Sequence, residues 1–349
     1  MAAYTTIGDP SAYFKIQLYT GTGSSNAQTF ADTDTDMQPD MVWIKSRSDE
    51  FNNMLYDSVR GVTKHLKPDG TNAEATDANA LTAFGSDGFT VGSNSDINNS
   101  SDTYVAWCWN TQGGAGSSNT SGSINTTTTS VGATQGVSIS TYTGTGSAAT
   151  LGHGLGAAPQ FIMVKNRGAT DNWTVFHSAK GNTHFYILNQ NASPIDDNTK
   201  WNDTSPTSTL FTVGTDGNVN RDADTYVAYA FAPVQGFSKF GSYIGNGSTD
   251  GTFIYTGFRP AYVLIKIDGD DTWHIFDNKR DVDNVIERRF EADNTSVEHT
   301  TIDWLDFTAN GFKQRYAGGG NNNSGTTYIF AAFAEQPFVN SNGVPCNAR

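Results

Sequence analysis

Alternate carboxylates in the run Asp32-Thr33-Asp34-Thr35-Asp36 are the residues best suited to a hard cation such as calcium. The run is not an EF-hand loop, because its sixth position is Met37 where Gly is needed and its twelfth is Trp43 where Glu is needed. What remains is a calcium candidate at Asp32, Asp34 and Asp36, weighed against a solvated loop. Glu287 and Glu291 would share one face of a strand, and paired carboxylates are the groups that hydrolyse glycosides. Arg288 and Arg289 interleave with them, which suits a salt-bridged exposed face better than an acid and a nucleophile. The chain has no Gly-x-Ser-x-Gly elbow, and its six histidines include no pair at helical metal spacing. The tandem Gly-Thr-Gly phrases lack a following Gly-Lys-Ser/Thr and read as turns, not phosphate loops. Among seven tryptophans, Trp43, Trp107, Trp109, Trp173 and Trp273 fall in strand-like runs. Trp201 and Trp304 stand in more polar surroundings and are the candidates for stacking on a sugar. The residues therefore point to a protein that is not an enzyme and needs no cofactor, with calcium left open.

The elements that must position these residues follow from composition. Only 16% of the 349 residues are charged, and 36 glycines accompany 12% aromatics. Large rings spaced by turn residues indicate an all-β chain of more than one domain. The net charge of −14 opposes nucleic acid and anionic membrane surfaces as partners. The Met1–Asp9 stretch lacks a cationic segment followed by an apolar one, and no run is long enough to span a bilayer, so a soluble chain is expected. Two cysteines, Cys108 and Cys346, exclude a disulfide framework.

The chain repeats itself three times. A Gly turn recurs as Tyr19-Thr20-Gly21-Thr22-Gly23, Tyr142-Thr143-Gly144-Thr145-Gly146 and Tyr243-Ile244-Gly245-Asn246-Gly247. A proline-led strand recurs from Pro39 to Lys45, Pro159 to Lys165 and Pro260 to Lys266. A closing aromatic strand starts at Thr103, Thr225 and Thr327, with its Tyr 59, 61 and 62 residues after the corresponding Lys. Both faces of the proline-led strand are apolar, so it belongs in the middle of a two-layer packing with its Lys emerging at the rim. The expected organisation is three tandem β-sandwich repeats at 1–110, 136–235 and 236–338. A flexible Ser/Thr/Gly linker at 111–135 lets the first copy reorient, and 339–349 is a tail. The segment 281–291 has a near-helical spacing, but its counterparts in the other copies are too short and β-prone, so a strand is expected.

The phrases Pro39-Asp40-Met41-Val42-Trp43-Ile44-Lys45-Ser46-Arg47, Tyr56-Asp57-Ser58-Val59-Arg60-Gly61, Phe84-Gly85-Ser86-Asp87-Gly88-Phe89 and Tyr104-Val105-Ala106-Trp107 resemble the concanavalin-like repeat domains in virion structural proteins of marine tailed bacteriophages, tail-fibre-like proteins included. The third copy matches least, reading Lys266-Ile267-Asp268 where the others keep an Arg. The resemblance covers residues 12 to 338 and the tail phrase beyond. It implies concanavalin-like, jelly-roll-type repeats in a virion component, either capsid decoration or tail fibre. The implied partners are other virion proteins, further copies of the chain and host surface glycans. A glycan-binding adhesin and a polysaccharide depolymerase are the alternatives. The family supplies no functional residues to carry across.

Overall fold

The computed structural model describes residues 4–30, 35–111 and 114–346. Strands form at Met41–Ser46, Phe161–Asn166 and Phe258–Ile267, where β-branched and large apolar residues alternate. Each lies between a closing strand and a shorter partner in an antiparallel sheet. The order is Phe14–Thr20, Thr103–Trp109, Met41–Ser46, Met54–Asp57 in the first sheet. It recurs as Val137–Thr143, Thr225–Phe231, Phe161–Asn166, Thr174–His177, and again as Ser238–Ile244, Thr327–Pro337, Phe258–Ile267, His274–Asp277. The registers correspond: Trp43 faces Trp107, Met163 faces Tyr229 and Leu264 faces Ala331. Pro260 departs from its counterparts by lying inside its strand, and the missing N–H is accommodated by register shifts on either side of it.

Alternation gives each of these sheets two apolar faces. One packs against a small sheet of its own copy, formed by Asn26–Thr29, Gly88–Val91 and Leu81–Gly85 in the first. Val42, Ile44, Tyr104, Ala106 and Cys108 share a buried cluster there with Leu81, Phe89 and Val91. The second copy repeats this with Ala149–Gly152 and Leu210–Val213, the third with Phe253–Tyr255, Gly311–Gln314 and Leu305–Thr308. The opposite faces meet one another. Met41, Trp43, Trp107 and Trp109 join Phe161, Met163, Tyr229 and Phe231, together with Tyr262, Leu264, Ala331 and Phe333, in one continuous core. A void of about 20 Å³ at their meeting point is lined by residues of all three copies.

A turn device also recurs, one that no short sequence motif marks. Asn98, Asn220 and Asn322 are fully buried, at the end of short helical turns. Asn98 donates to the carbonyls of Gly92 and Ser24 and accepts from Thr22 N–H, and Asn220 and Asn322 make the corresponding bonds. These bonds hold the Gly turns closed. A Cβ on Gly21 would sit 2.0 Å from the Asn99 carbonyl oxygen, and Gly23 has φ +68°. The glycines serve steric closure and not phosphate binding. Beneath each turn two tyrosine rings stack, with centroids 5.1 Å apart for Tyr19–Tyr104 and 5.0 Å for both Tyr142–Tyr226 and Tyr243–Tyr328.

Three expectations are corrected. The stretch 111–135 is not structureless: Thr128–Gly132 pairs with Val137–Thr143 as the edge of the second sheet, and Ile124 is buried. Its hydroxyls bond one another and the neighbouring strand, as between Thr129 and Ser140 at 3.0 Å, which replaces the ring packing the sequence lacks. With the shared core on its other side, the first copy is docked and not a separately hinged unit. The segment 281–291 is neither helix nor continuous strand, since only Phe290–Glu291 pairs, with His274–Ile275, while Ile286 bridges Leu305. The lysines ending the proline-led strands do not emerge at a rim; Lys45, Lys165 and Lys266 are all 0% exposed.

Candidate functional site

The sugar-stacking candidates do not offer their rings to solvent. Trp201 is 2% exposed with Phe176 edge-on against it, and Trp304 is 3% exposed beneath the Arg289 guanidinium, 4.5 Å from its ring centroid. Each sits in a polar stretch of sequence yet is buried in a hydrophobic cluster, which local polarity does not reveal. Asp36 is exposed, while Asp32 and Asp34 lie outside the described residues. Among the described residues no group of three His, Cys, Asp or Glu side chains could hold a metal ion. Glu287 is exposed, whereas Glu291 is buried and paired with Arg289, so the two carboxylates share no cleft.

Chemistry-bearing groups gather instead at the seams between copies, and they do so in rotation. Trp107 Nε1 of the first copy donates to Asp277 of the third at 3.0 Å. Tyr229 OH of the second donates to Asp57 of the first at 2.6 Å. His177 Nε2 of the second donates to the Phe330 carbonyl of the third at 3.0 Å and closes the circuit. Each aspartate also holds a buried arginine three residues on, Asp57 with Arg60 and Asp277 with Arg280. Outside these, Arg167 makes a two-pronged bond to Glu74 at 2.8 and 2.9 Å, and Arg47 makes one to Glu298 at 3.0 and 2.9 Å. Burial pushes the Glu74 carboxyl up, but the Arg167 and Arg60 guanidiniums outweigh it and hold it below its ordinary value. The third seam has its charges exchanged. Asp268 stands where the other copies have Arg and accepts from Lys180 at 3.0 Å and from Tyr186 OH at 3.0 Å. The break in the Lys-x-Arg phrase of the third copy is thus a compensated reversal.

The three buried lysines are structural caps. Lys45 Nζ donates to the carbonyls of Phe51 and Thr295, Lys165 to those of Asn166 and Ala169, and Lys266 to those of Asn191, Gly269 and Asp271. Burial lowers each to about 8, opposed by nearby carboxylates. Enclosed by carbonyls, none can reach a substrate carbonyl.

His177 supplies a pH-dependent element at a seam. Its Nδ1 accepts from Ala179 N–H and its Nε2 donates to Phe330 O, which fixes the neutral ring, and burial lowers its pKa to about 4. A folded value below the unfolded one of about 6.5 means that the contribution is whole above pH 6.5 and is lost as pH falls toward 4. Urea unfolding is expected to show a loss on the order of 3 kcal/mol from this group across that window. His177→Gln should flatten that part of the profile; an unchanged pH slope in the variant would contradict the assignment.

One cavity interrupts the rotation. It has a volume of about 380 Å³ and lies between the first and third copies, walled by the N-terminal turn around Asp9–Ser11, the end of the Thr327–Pro337 strand and the tail around Val344–Cys346. Its volume falls within the range of small-molecule sites. Asn278 lines it at 2% exposure, and both atoms of its amide lack a hydrogen-bond partner. No sequence signal marked this residue, because its counterparts in the repeat are Ser58 and Ser178.

No curated protein matches the chain. A family model described as a domain of unknown function, DUF7483, matches residues 9–337, a span that takes in the three large sheets and the small sheet of each copy. With nearly the whole chain inside that match, this protein belongs to the DUF7483 family.

Proposed function

We propose that this protein is a non-enzymatic structural component of a bacteriophage particle, three concanavalin-like sandwiches locked into one body that serves as capsid decoration or as part of a tail or fibre. The observation that carries the reading is the rotating set of seam bonds around a shared ring core. It makes three copies a rigid unit with loops and small sheets turned outward. Such a body suits a durable spacer that meets other virion proteins, or further copies of itself, through its outer loops. The buried Lys45, Lys165 and Lys266 cap carbonyls and His177 bonds a carbonyl across a seam, so these groups are spent on packing, which favours a structural role. The phage-protein resemblance supplies the particle, and the cavity beside Asn278 supplies room for a host-surface contact.

Immunogold labelling of gradient-purified particles, with quantitative mass spectrometry of the same fractions, tests the reading. The protein is expected at a fixed ratio to the major particle proteins and on the particle surface. A protein found only in the soluble lysate fraction and missing from particles would overturn it.

A further inference from the structure

Asn278 is the residue whose burial is hardest to account for by folding alone. A buried amide without partners costs roughly 1–3 kcal/mol for each unsatisfied group, and Asn278 leaves both the oxygen and the nitrogen unsatisfied. The other copies show how the fold deals with this position when it serves structure. The Ser58, Ser178 and Asn278 backbone N–H groups all donate to the residue after the proline, Asp40, Gln160 and Ala261 respectively, so the three are equivalent. In the first copy Ser58 Oγ donates to Asp40 at 2.7 Å, and the following chain folds over the pair, with Thr111 N–H and Gly114 N–H donating to the same carboxylate. In the third copy the carboxylate is Ala261 and the serine is enlarged to Asn. The chain that covers the pair in the first copy is here the continuation of the strand to Pro337. Ala261 and Asn278 both line the 380 Å³ cavity.

We infer that this cavity is a binding site for a small neutral polyhydroxyl ligand, a saccharide unit, with the Asn278 carboxamide as its buried recognition group. A carboxamide both donates and accepts, which fits a ligand presenting adjacent hydroxyls. The charged residues on the wall balance in number, Lys15 and Lys279 against Asp9 and Glu335, and Glu335 is already paired with Arg259 at 2.8 Å, so the wall carries no excess charge for an ionic ligand. Ser11, Gln336 and Asn340 are further polar side chains on the wall that can donate to or accept from ligand hydroxyls. The site deepens the host-glycan part of the proposed function but does not depend on where the protein sits. Labelling of particles can fail while binding holds, and the reverse.

The test uses the full chain with glucose, galactose, mannose and N-acetylglucosamine as probes, read by saturation-transfer NMR and by thermal shift. At least one probe is expected to bind and to raise the melting temperature. Asn278→Leu should weaken that binding roughly tenfold or more, while leaving the ligand-free melting temperature unchanged or higher, because an unsatisfied amide is replaced by an apolar group. Ala261→Leu, which fills the cavity beside Asn278, should abolish binding and keeps the test decisive should the first variant fold poorly. Absence of binding by all four sugars, or binding that survives both substitutions, would overturn the inference. So would a marked loss of ligand-free stability in Asn278→Leu, the mark of a structural residue.

Discussion

Asp57→Ala is expected to lower the unfolding free energy by about 3–5 kcal/mol, the range for stripping the partner from a buried charge. Asp57 Oδ2 accepts from Arg60 Nε at 2.5 Å and from Tyr229 OH at 2.6 Å, and Asp57 Oδ1 accepts from Arg60 N–H at 2.7 Å. Both side chains of the ion pair are 0% exposed. Arg60 stays charged despite the burial that opposes it, because Asp57, with Glu74 behind it, is close by. Alanine at position 57 would leave that charge leaning on Glu74 alone and would leave the Tyr229 hydroxyl unpaired inside the seam. Asp277→Ala, which undoes the equivalent knot between Arg280 and Trp107, should cost a similar amount. Asp268→Ala in the reversed seam should cost less, about 1–2 kcal/mol, since its pair with Lys180 is partly exposed, 24% and 22%, and the main loss is the acceptor of the Tyr186 hydroxyl. Urea titrations of the three variants check the ranking. Equal small losses at all three would show that the seam aspartates are ordinary surface charges.

Phe333→Ala is expected to cost about 3–5 kcal/mol, the range for truncating a buried phenylalanine. Phe333 is 3% exposed, and its ring lies 5.5 Å from those of Phe14 and Trp109, 5.8 Å from Phe231 and 6.0 Å from Phe240. It therefore touches aromatic residues of all three copies. The decisive part of the expectation is how the loss is distributed. Hydrogen exchange should report the same fall in protection for slow amides in the Met41–Ser46, Phe161–Asn166 and Phe258–Ile267 strands. A fall confined to the third copy would mean that the copies open separately.

Much of this fold could be read from residue order. The opposite-facing sets Trp107/Trp109 and Tyr104/Ala106/Cys108 fall in different cores, as period-two alternation requires. What alternation could not say is what lies beyond each face. The second apolar face of the Met41–Ser46 strand is buried by two other copies, so Lys45 ends inside the protein against Thr295 of the third copy. Trp201 and Trp304 read as exposed from their polar sequence neighbours, whereas each is covered from within its own copy, Trp201 by Phe176 and Trp304 by Arg289 and Tyr316. The 111–135 stretch misled because hydroxyl-rich strands bury hydrogen bonds where rings are absent. Asn98, Asn220 and Asn322 each stand six residues before a closing tyrosine and were open to discovery by the same repeat comparison. Asn278 was not, because it marks a place where the repeat is broken.

Scanning calorimetry of the intact chain tests most directly the claim that three copies form one interlocked body. A single heat-absorption peak is predicted, with the calorimetric enthalpy equal to the van't Hoff enthalpy across all 349 residues. Two or three resolvable transitions, each with the enthalpy of a unit near one third of the chain, would contradict it.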